Sequence, residues 1–557
     1  MPESSLQQTY ALALQHHRAG RLREAESLYR QIPESDSNHA DALHMLGGIA
    51  HAAGHHAQAI ELIRKAIAIN PTAPDYHGNL AIILASTGQS DAAIQSLRTA
   101  LALRPDYPPA LYNLAKLLAQ QNQFDQAINV YHDAVRIQPN FPEAHNNLGD
   151  LLRQTGRVDE AIAALCTALA QRANFPEALF NLGLCQEAKD QFEAALATFG
   201  DLLELAPNSP EAHNELGNVL RELNRPREAL AAHHRAISLR PNFVQARWQA
   251  ALCHLSLGEF EQGWPLFESR RQLPEWSEPT FDKPQWTGSD LTGKHLLLWS
   301  EQGLGDTLQF IRYAPLLTGR GAQVHLRCQP PLAPLLSNQL TLKSVTTEGS
   351  PLPAFDLHCP LLSLPHLFKT TLDSIPAETP YLKPDPELAS AWANRLKPSD
   401  ARHRVGIAWA TNLLPASARK RWIDPAALSQ LATVPDVQFV SLQKTPPGSP
   451  PLPLPPGLPL VDHTADLTDF AETAALIANL DLVITCDTSV AHLAGAMGKS
   501  TWIALPFAVP WRWMTDRNDS PWYPTVRLFR QPRPGDWRTP IRQIAQELLA
   551  QLHSGVK

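Results

Sequence analysis

Three stretches of this chain hold side chains whose types suit ligand binding and proton transfer. In the first, Gly303-Leu304-Gly305-Asp306 lies between an apolar run of strand length, His295 to Trp299, and a stretch whose helical spacing puts Leu308, Ile311 and Leu316 or Leu317 on one side. Glycines at such a junction let the backbone turn sharply and let a ligand approach it, and the helix start offers unpaired amides and a positive dipole end. Asp306 can cap that helix or serve as a general base, with Glu301 the alternative base. The second stretch runs from Trp409-Ala410-Thr411-Asn412 to Arg419-Lys420-Arg421, and Ser441-Leu442-Gln443-Lys444 follows it. The third, Asp487-Thr488-Ser489-Val490-Ala491-His492, comes after the apolar run DLVITC and opens a helix.

Together these residues suit a diphosphate. Helix amides with Thr488 and Ser489 provide neutral donors, and Arg421 and Lys444 provide charge-assisted ones. Asp487 would repel phosphate, so it is assigned to sugar hydroxyls or to holding its loop, with a helix cap as the plain alternative. His492, one turn into the helix, either reaches a phosphate oxygen or is a buried, satisfied histidine.

The elements that must position these groups alternate between strand-like and helix-like runs from Lys294 onward, the pattern of parallel sheets covered by helices. Strands are expected at His295–Trp299, Ala322–Leu326, Leu342–Thr346 and Phe355–His358, then at Arg404–Ala408, Val437–Leu442, Leu482–Thr485 and Thr501–Leu505. Two Rossmann halves, 294–399 and 400–557, would place all three loops at carboxyl ends of strands, where open parallel sheets bind ligands.

The preceding text is periodic. A small residue recurs at Ala13, Gly47, Ala81, Ala115, Gly149, Gly183, Gly217 and Ala251, each 34 positions after the last, and a second series runs from Ala25 to Gly263. Proline returns at Pro71, Pro105, Pro139, Pro207 and Pro241, and turns fall near Gly54, Gly88, Gly156 and Gly258. Small residues where helices cross and a proline after each second helix describe eight helix-turn-helix units stacked as an α-solenoid over 1–271. Segments such as Ala144 to Leu169 resemble tetratricopeptide repeats. A connector rich in proline and tryptophan, 272–293, follows.

Asn79, Asn113, Asn147 and Asn181 share one position in four successive repeats. A row of amides at repeat spacing can hold the main chain of an extended polypeptide, or each can bond its neighbouring helix. The row resembles the asparagine ladder of protein O-GlcNAc transferases, whose repeats feed a catalytic domain.

A net charge of -7 with a pI near 6.3 gives no sign of nucleic-acid binding. Six cysteines without a C-x-x-C pair suggest neither a disulfide framework nor a metal site, and no run of 18 apolar residues occurs. A cytoplasmic protein without a membrane span is expected.

Asp481 to Gly498, DLVITCDTSVAHLAGAMG, resembles the donor-site signature of GT-B glycosyltransferases related to the ADP-heptose:lipopolysaccharide heptosyltransferases, with Ser489 where that signature has glycine. Gly303 to Asp306 matches the family's G-x-G-D turn, and Asn412 and Arg421 match a further segment in which Thr411 replaces glycine. The resemblance implies a GT-B double Rossmann region with Asp306 as catalytic base. It places Gly303, Gly305, Asn412, Arg421, Gln443, Lys444, Asp487, Thr488, Ser489 and His492 around a nucleotide-diphospho-sugar, and has the terminal helix Ile541 to Leu552 crossing back onto the first half. Inverting transfer needs a base on the acceptor side and cations at the departing diphosphate, which these types supply. No D-x-D pair is present, so transfer without metal or cofactor is expected. A polypeptide held by Asn79, Asn113, Asn147 and Asn181 is the first acceptor expected; a glycan or lipid-linked acceptor, or a scaffold without activity, are the alternatives. The proline-rich insert, 445–460, is either a rigid loop or a docking motif.

Overall fold

A computed structural model describes every residue except 1–2, 338, 340–341, 397–400, 402, 412–419, 446–451 and 555–557. Sixteen helices run from Glu3–Arg18 to Phe260–Phe267, in pairs such as Ala40–Ala52 with His56–Ile69. Within each pair the chain turns through one left-handed residue. Gly20, Gly54, Gly88, Gly156 and Gly258 take φ of 74° to 82°, and the same position is Asn122, Asp190 and Asn224 in the remaining repeats, with φ of 59°, 57° and 56°. Asparagine and aspartate are the side chains that enter this region most readily, so they stand in for glycine here. The turns close as helix C-caps, with the His55 N–H donating to Ala50 O at 2.8 Å after Gly54.

The recurring small residue lies beneath a large one on the second helix of its own repeat. A Cβ on Gly47, Gly149, Gly183 or Gly217 would come within 2.5 to 2.6 Å of Ile63, Leu165, Phe199 or His233. His233 is the one polar member of that set. It is fully buried and neither ring nitrogen has a hydrogen-bond partner. Burial pushes its pKa down to about 3.

Two compact units divide the chain at Pro207/Asn208. The last two helix pairs belong to the second unit. Phe260, Trp264 and Phe267 of the last pair lie in one apolar core with Phe310, Trp511 and Trp522, and Trp264 meets the other five at centroid distances of 5.3 to 6.5 Å. Its indole N–H is satisfied by Thr370 O at 3.0 Å.

The second unit carries two parallel sheets. The first contains β1 (His295–Trp299), β2 (Gln323–Cys328), β3 (Ser344–Thr347) and β4 (Leu357–Pro360) in the order β3-β2-β1-β4. The second contains β5 (His403–Ala408), β6 (Val437–Ser441), β7 (Leu460–Val461), β8 (Leu482–Thr485), β9 (Thr501–Leu505) and β10 (Val526–Arg530), in the order β10-β9-β8-β5-β6-β7. Counted from its first strand, the second sheet is wound 3-2-1-4-5-6, and its order reverses between β5 and β8. β7 and β10 were not expected from sequence. One has two residues, and the other, at the edge of the sheet beside β9, has its apolar run interrupted by Arg527 and Arg530.

The terminal helix departs from expectation. Arg538–Ser554 does not cross back: Ile541, Ile544, Ala545 and Leu548 pack in the second sheet's own core with Ile484, Trp502 and Phe529. The bridging is done earlier in the chain. The N–H groups of Tyr381 and Leu382 donate to Ala496 O at 3.0 and 3.2 Å, and Trp392 of the helix Pro386–Arg395 donates to Glu472 at 2.6 Å.

His233 gives this fold an acid-sensitive point. Folded, it stays neutral to about pH 3, whereas unfolded it takes up a proton near its ordinary value of 6.5. The unfolded state thus binds more protons between those values, and lowering the pH below 6.5 removes stability at up to about 1.4 kcal/mol per pH unit from this group. His233→Phe, which repeats the pairing of Phe199 with Gly183, should raise the melting temperature, and by more at pH 5 than at pH 8 in scanning calorimetry. Equal shifts at both pH values would remove His233 from the account.

Candidate active site

A cleft of about 790 Å³ opens where the carboxyl ends of the two sheets face each other, and it lies within the second unit. Gly303, Gly305, Asp306, Arg421, Gln443, Lys444, Asp487, Thr488, Ser489 and His492 all line it. Asn412 and Arg419 lie outside the described residues, as do residues 446–451 of the proline-rich insert.

Three helix starts converge on the cleft: Leu304–Phe310 after β1, Phe470–Ala478 after β7 and Ser489–Ala496 after β8. The first is capped by Gly303, whose N–H donates to Asp306 Oδ2 at 2.9 Å, so Asp306 is the third helical residue and not the cap itself. The second is capped by Asp469, which accepts from Ala471 and Glu472. The third has Thr488 at its cap position without a side-chain cap bond, because the Thr488 hydroxyl pairs with that of Thr485 at 3.0 Å. The Ala491 N–H turns back on Thr488 O at 3.1 Å, so the Ser489 and Val490 amides are the first-turn donors left for an anion.

Gly305 allows the first and third of these helices to touch. A Cβ on it would stand 2.7 Å from His492 Cδ2. His492 is buried, hydrogen bonded through Nδ1 to the Tyr523 hydroxyl at 2.9 Å and stacked on Trp513 at 5.2 Å. Burial pushes its pKa down to about 4, so the imidazole is neutral near pH 7 and adds no positive charge to the cleft.

The charged groups are paired. Asp487, also buried, accepts from Arg421 Nη1 at 3.1 Å and from the Trp513 indole N–H at 2.7 Å. Burial opposes its charge, but Arg421 foremost, with Arg512 and the Trp513 N–H, outweighs burial and holds its pKa below the ordinary carboxylate value. Asp487 thus holds its loop. Lys444 donates to Leu467 O. Gln443 Oε1 accepts from the Trp409 and Ala410 amides at 2.9 and 2.7 Å, which ties the end of β6 to the end of β5. Asp306 pairs with Arg512, a cleft residue that the sequence reading passed over. The available signal was a cation between two tryptophans, Trp511-Arg512-Trp513, in the loop after β9.

Glu301, the alternative base, is removed from that role. Its carboxylate is buried against Arg270, with Arg270 Nε and Nη2 donating at 3.0 and 2.8 Å and the Leu362 N–H at 3.1 Å.

In the first unit, Asn79 Nδ2 stands 2.7 Å from His44 Nε2, Asn147 Nδ2 donates to the Tyr112 hydroxyl at 3.0 Å and Asn181 Nδ2 donates to Asn146 Oδ1 at 3.1 Å. Each of these amides reaches the same position of the preceding repeat. At Asn113 that position is Gly78, which has no side chain to offer.

The fold is thus a helical-repeat array built into a pair of parallel α/β sheets with a polar cleft at their strand ends. Tetratricopeptide-repeat family models match residues 16–83, 50–98, 84–151, 120–165 and 152–217, and a further one matches 214–268, so roughly the first 270 residues are tetratricopeptide repeats. The chain is 30% identical to Protein FlbA of Caulobacter vibrioides over 325 residues, covering 53% of this chain and 53% of FlbA. It spans about half the length of that curated relative. Among solved structures, YrrB, described as a TPR protein with an unusual peptide-binding site, is 23% identical with a TM-score of 0.31 over 33% of this chain and 95% of its own. PilF of Pseudomonas aeruginosa is 19% identical with a TM-score of 0.34 over 37% of this chain and 95% of its own.

The contact at Gly305 is open to test. Gly305→Ala should destabilise the full chain by about 1–3 kcal/mol, since the methyl group overpacks a buried ring. Gly303→Ala, whose Cβ would meet only Asp306 Oδ2 at 3.2 Å, should cost about 1 kcal/mol or less. Calorimetric melting of both variants checks this, and equal costs would contradict the close packing of the two helices.

Proposed function

We propose that this protein is a glycosyltransferase of GT-B type, moving a sugar from a nucleotide-diphospho-sugar to an acceptor hydroxyl without a metal ion. What carries the proposal is one cleft at the strand ends of two parallel sheets, holding Asp306 from the first sheet and the Ser489–Ala496 helix start, Arg421 and Lys444 from the second. In this reading the donor's diphosphate lies against the Ser489 turn, where amides and the helix dipole favour negative charge. Asp306 receives the acceptor's proton from the opposite wall. Arg421, fixed by Asp487, keeps a guanidinium edge toward the leaving group.

The acceptor is proposed to be a polypeptide, because the repeats continue into the same unit as the cleft and tetratricopeptide repeats are a protein-binding scaffold. A second acceptor class, a glycan or lipid-linked sugar, is favoured by one observation: Asn79, Asn147 and Asn181 already bond the preceding repeat, which lessens their capacity to hold a peptide.

The test is a thermal-shift series on the full chain with UDP-, GDP-, ADP- and dTDP-sugars, with and without EDTA. A donor at a hundred times its dissociation constant should add about 2.7 kcal/mol. Asp306→Asn should abolish transfer without weakening donor binding, whereas Arg421→Ala should weaken binding itself. No shift with any nucleotide sugar would leave a scaffold as the better account.

A further inference from the structure

Asp306 is held on both carboxylate oxygens. Its Oδ2 accepts the Gly303 N–H at 2.9 Å and its Oδ1 is held by Arg512 Nη2. Both partners are largely shielded, the Arg512 and Asp306 side chains being 16% and 12% exposed. Each carboxylate oxygen thus already carries one donor, and Arg512 crowds the approach of an acceptor hydroxyl to Oδ1.

Arg512 itself is incompletely satisfied. Its Nε is buried without a hydrogen-bond partner among the described residues, and its guanidinium lies over the Trp511 ring at 4.6 Å. Both neighbouring side chains are anchored: Trp511 packs on Trp264 at 5.6 Å and Phe267 at 5.7 Å, and the Trp513 indole N–H bonds Asp487 at 2.7 Å. Only the side chain has room to change partner. The other cleft cations described above, Arg421 and Lys444, are engaged by Asp487 and by Leu467 O.

A diphosphate entering this cleft brings at least two negative charges and strong acceptor oxygens. These compete for a guanidinium better than one carboxylate that already accepts a backbone N–H. We propose that Arg512 is a ligand of the donor's diphosphate, released from Asp306 when the donor binds, so that the base becomes free only once the leaving group is in place. This rests on the transferase reading of the same cleft. In the transfer that follows, Asp306 takes the acceptor's hydroxyl proton and the acceptor oxygen bonds the anomeric carbon. The bond from that carbon to the diphosphate oxygen breaks, and the nucleoside diphosphate leaves with the electron pair, its added charge held by Arg512. Donor binds first and acceptor second, and without donor the base stays occupied, which guards against idle chemistry at Asp306.

Opposite signs in two variants test the exchange. Inorganic pyrophosphate and the four nucleotide sugars are titrated calorimetrically into the full-length protein and its variants. Arg512→Ala should weaken pyrophosphate binding about tenfold, a difference of about 1.4 kcal/mol. Asp306→Asn should tighten it severalfold, because Arg512 is released while the new amide oxygen still accepts the Gly303 N–H. The double variant should match Arg512→Ala. Should Arg512→Ala fail to fold, the gain in Asp306→Asn decides the matter alone. Unchanged or weaker pyrophosphate binding in Asp306→Asn overturns the proposal, as does an unaffected Arg512→Ala. If the pyrophosphate pattern holds while no nucleotide sugar binds or turns over, the exchange stands and the transferase reading falls.

Discussion

The interaction on which the site depends is the buried pair of Arg270 and Glu301. Arg270 lies just after the last helix of the repeat array, and Glu301 stands immediately before the turn Gln302–Gly303 that opens the helix Leu304–Phe310. Their side chains are 1% and 2% exposed, so both charges have been taken out of water, and such burial is tolerated only when every donor and acceptor is matched. Here they are matched. Arg270 meets Glu301 with two nitrogens, Glu268 with a third at 2.7 Å and the Ser363 hydroxyl at 2.9 Å, and Ser363 in turn donates to Glu268 at 2.8 Å. Burial works against the guanidinium charge, and Glu301 and Glu268 outweigh it, holding the Arg270 pKa above its ordinary value. The turn therefore starts from a point set by the repeats, and its next residue, Gln302, takes a left-handed φ of 55° that few non-glycine residues adopt.

The same last repeat supports the opposite wall of the cleft. Trp511, Arg512 and Trp513 form one short turn whose side chains have separate tasks. Trp511 enters the aromatic core around Trp264, Arg512 crosses to Asp306, and Trp513 bonds Asp487 and stacks on His492. The chain just beyond is held as well, because the Thr515 N–H donates to Ser256 O at 3.1 Å at the end of the helix Val244–Ser256. Asp306 and Asp487 thus both contact residues of a turn anchored on the repeat array. Arg312 reinforces this from the first sheet's side. It is buried without a carboxylate partner, donating to Gln309 O at 2.7 Å and to the Tyr381 hydroxyl at 2.9 Å, with its guanidinium 4.6 Å from the centre of the Tyr523 ring.

Much of this was legible in the sequence because it is local or periodic. The repeat spacing follows from steric limits at helix crossings, such as Gly183 beneath Phe199, and leaves its mark in every unit. The cleft loops were legible because strand-turn-helix junctions have a composition of their own, and ten of their residues do line one cleft. What could not be read were pairings set by the folded chain. Nothing near Glu301 in sequence points to Arg270, and nothing near Asp306 points to Arg512. The terminal helix was misplaced for a related reason: the apolar face formed by Ile541, Ile544 and Leu548 requires a partner surface but does not say which sheet provides it.

The end of the repeat array has a physical cause as well. A repeat array ends where something other than another repeat covers its last apolar face. Here that cover is the core of the α/β region, with Trp264 and Phe267 packed on Phe310 and Trp511 in place of a further helix pair. Aromatic side chains of this size bury a large apolar area, and the last two repeats share a unit with the sheets. The cleft is for that reason a property of residues from Asn208 onward. The text from Lys294, which has the look of a self-contained domain in sequence, lacks Arg270, Trp264 and Ser256, the groups that hold Glu301, Trp511 and Thr515 in place.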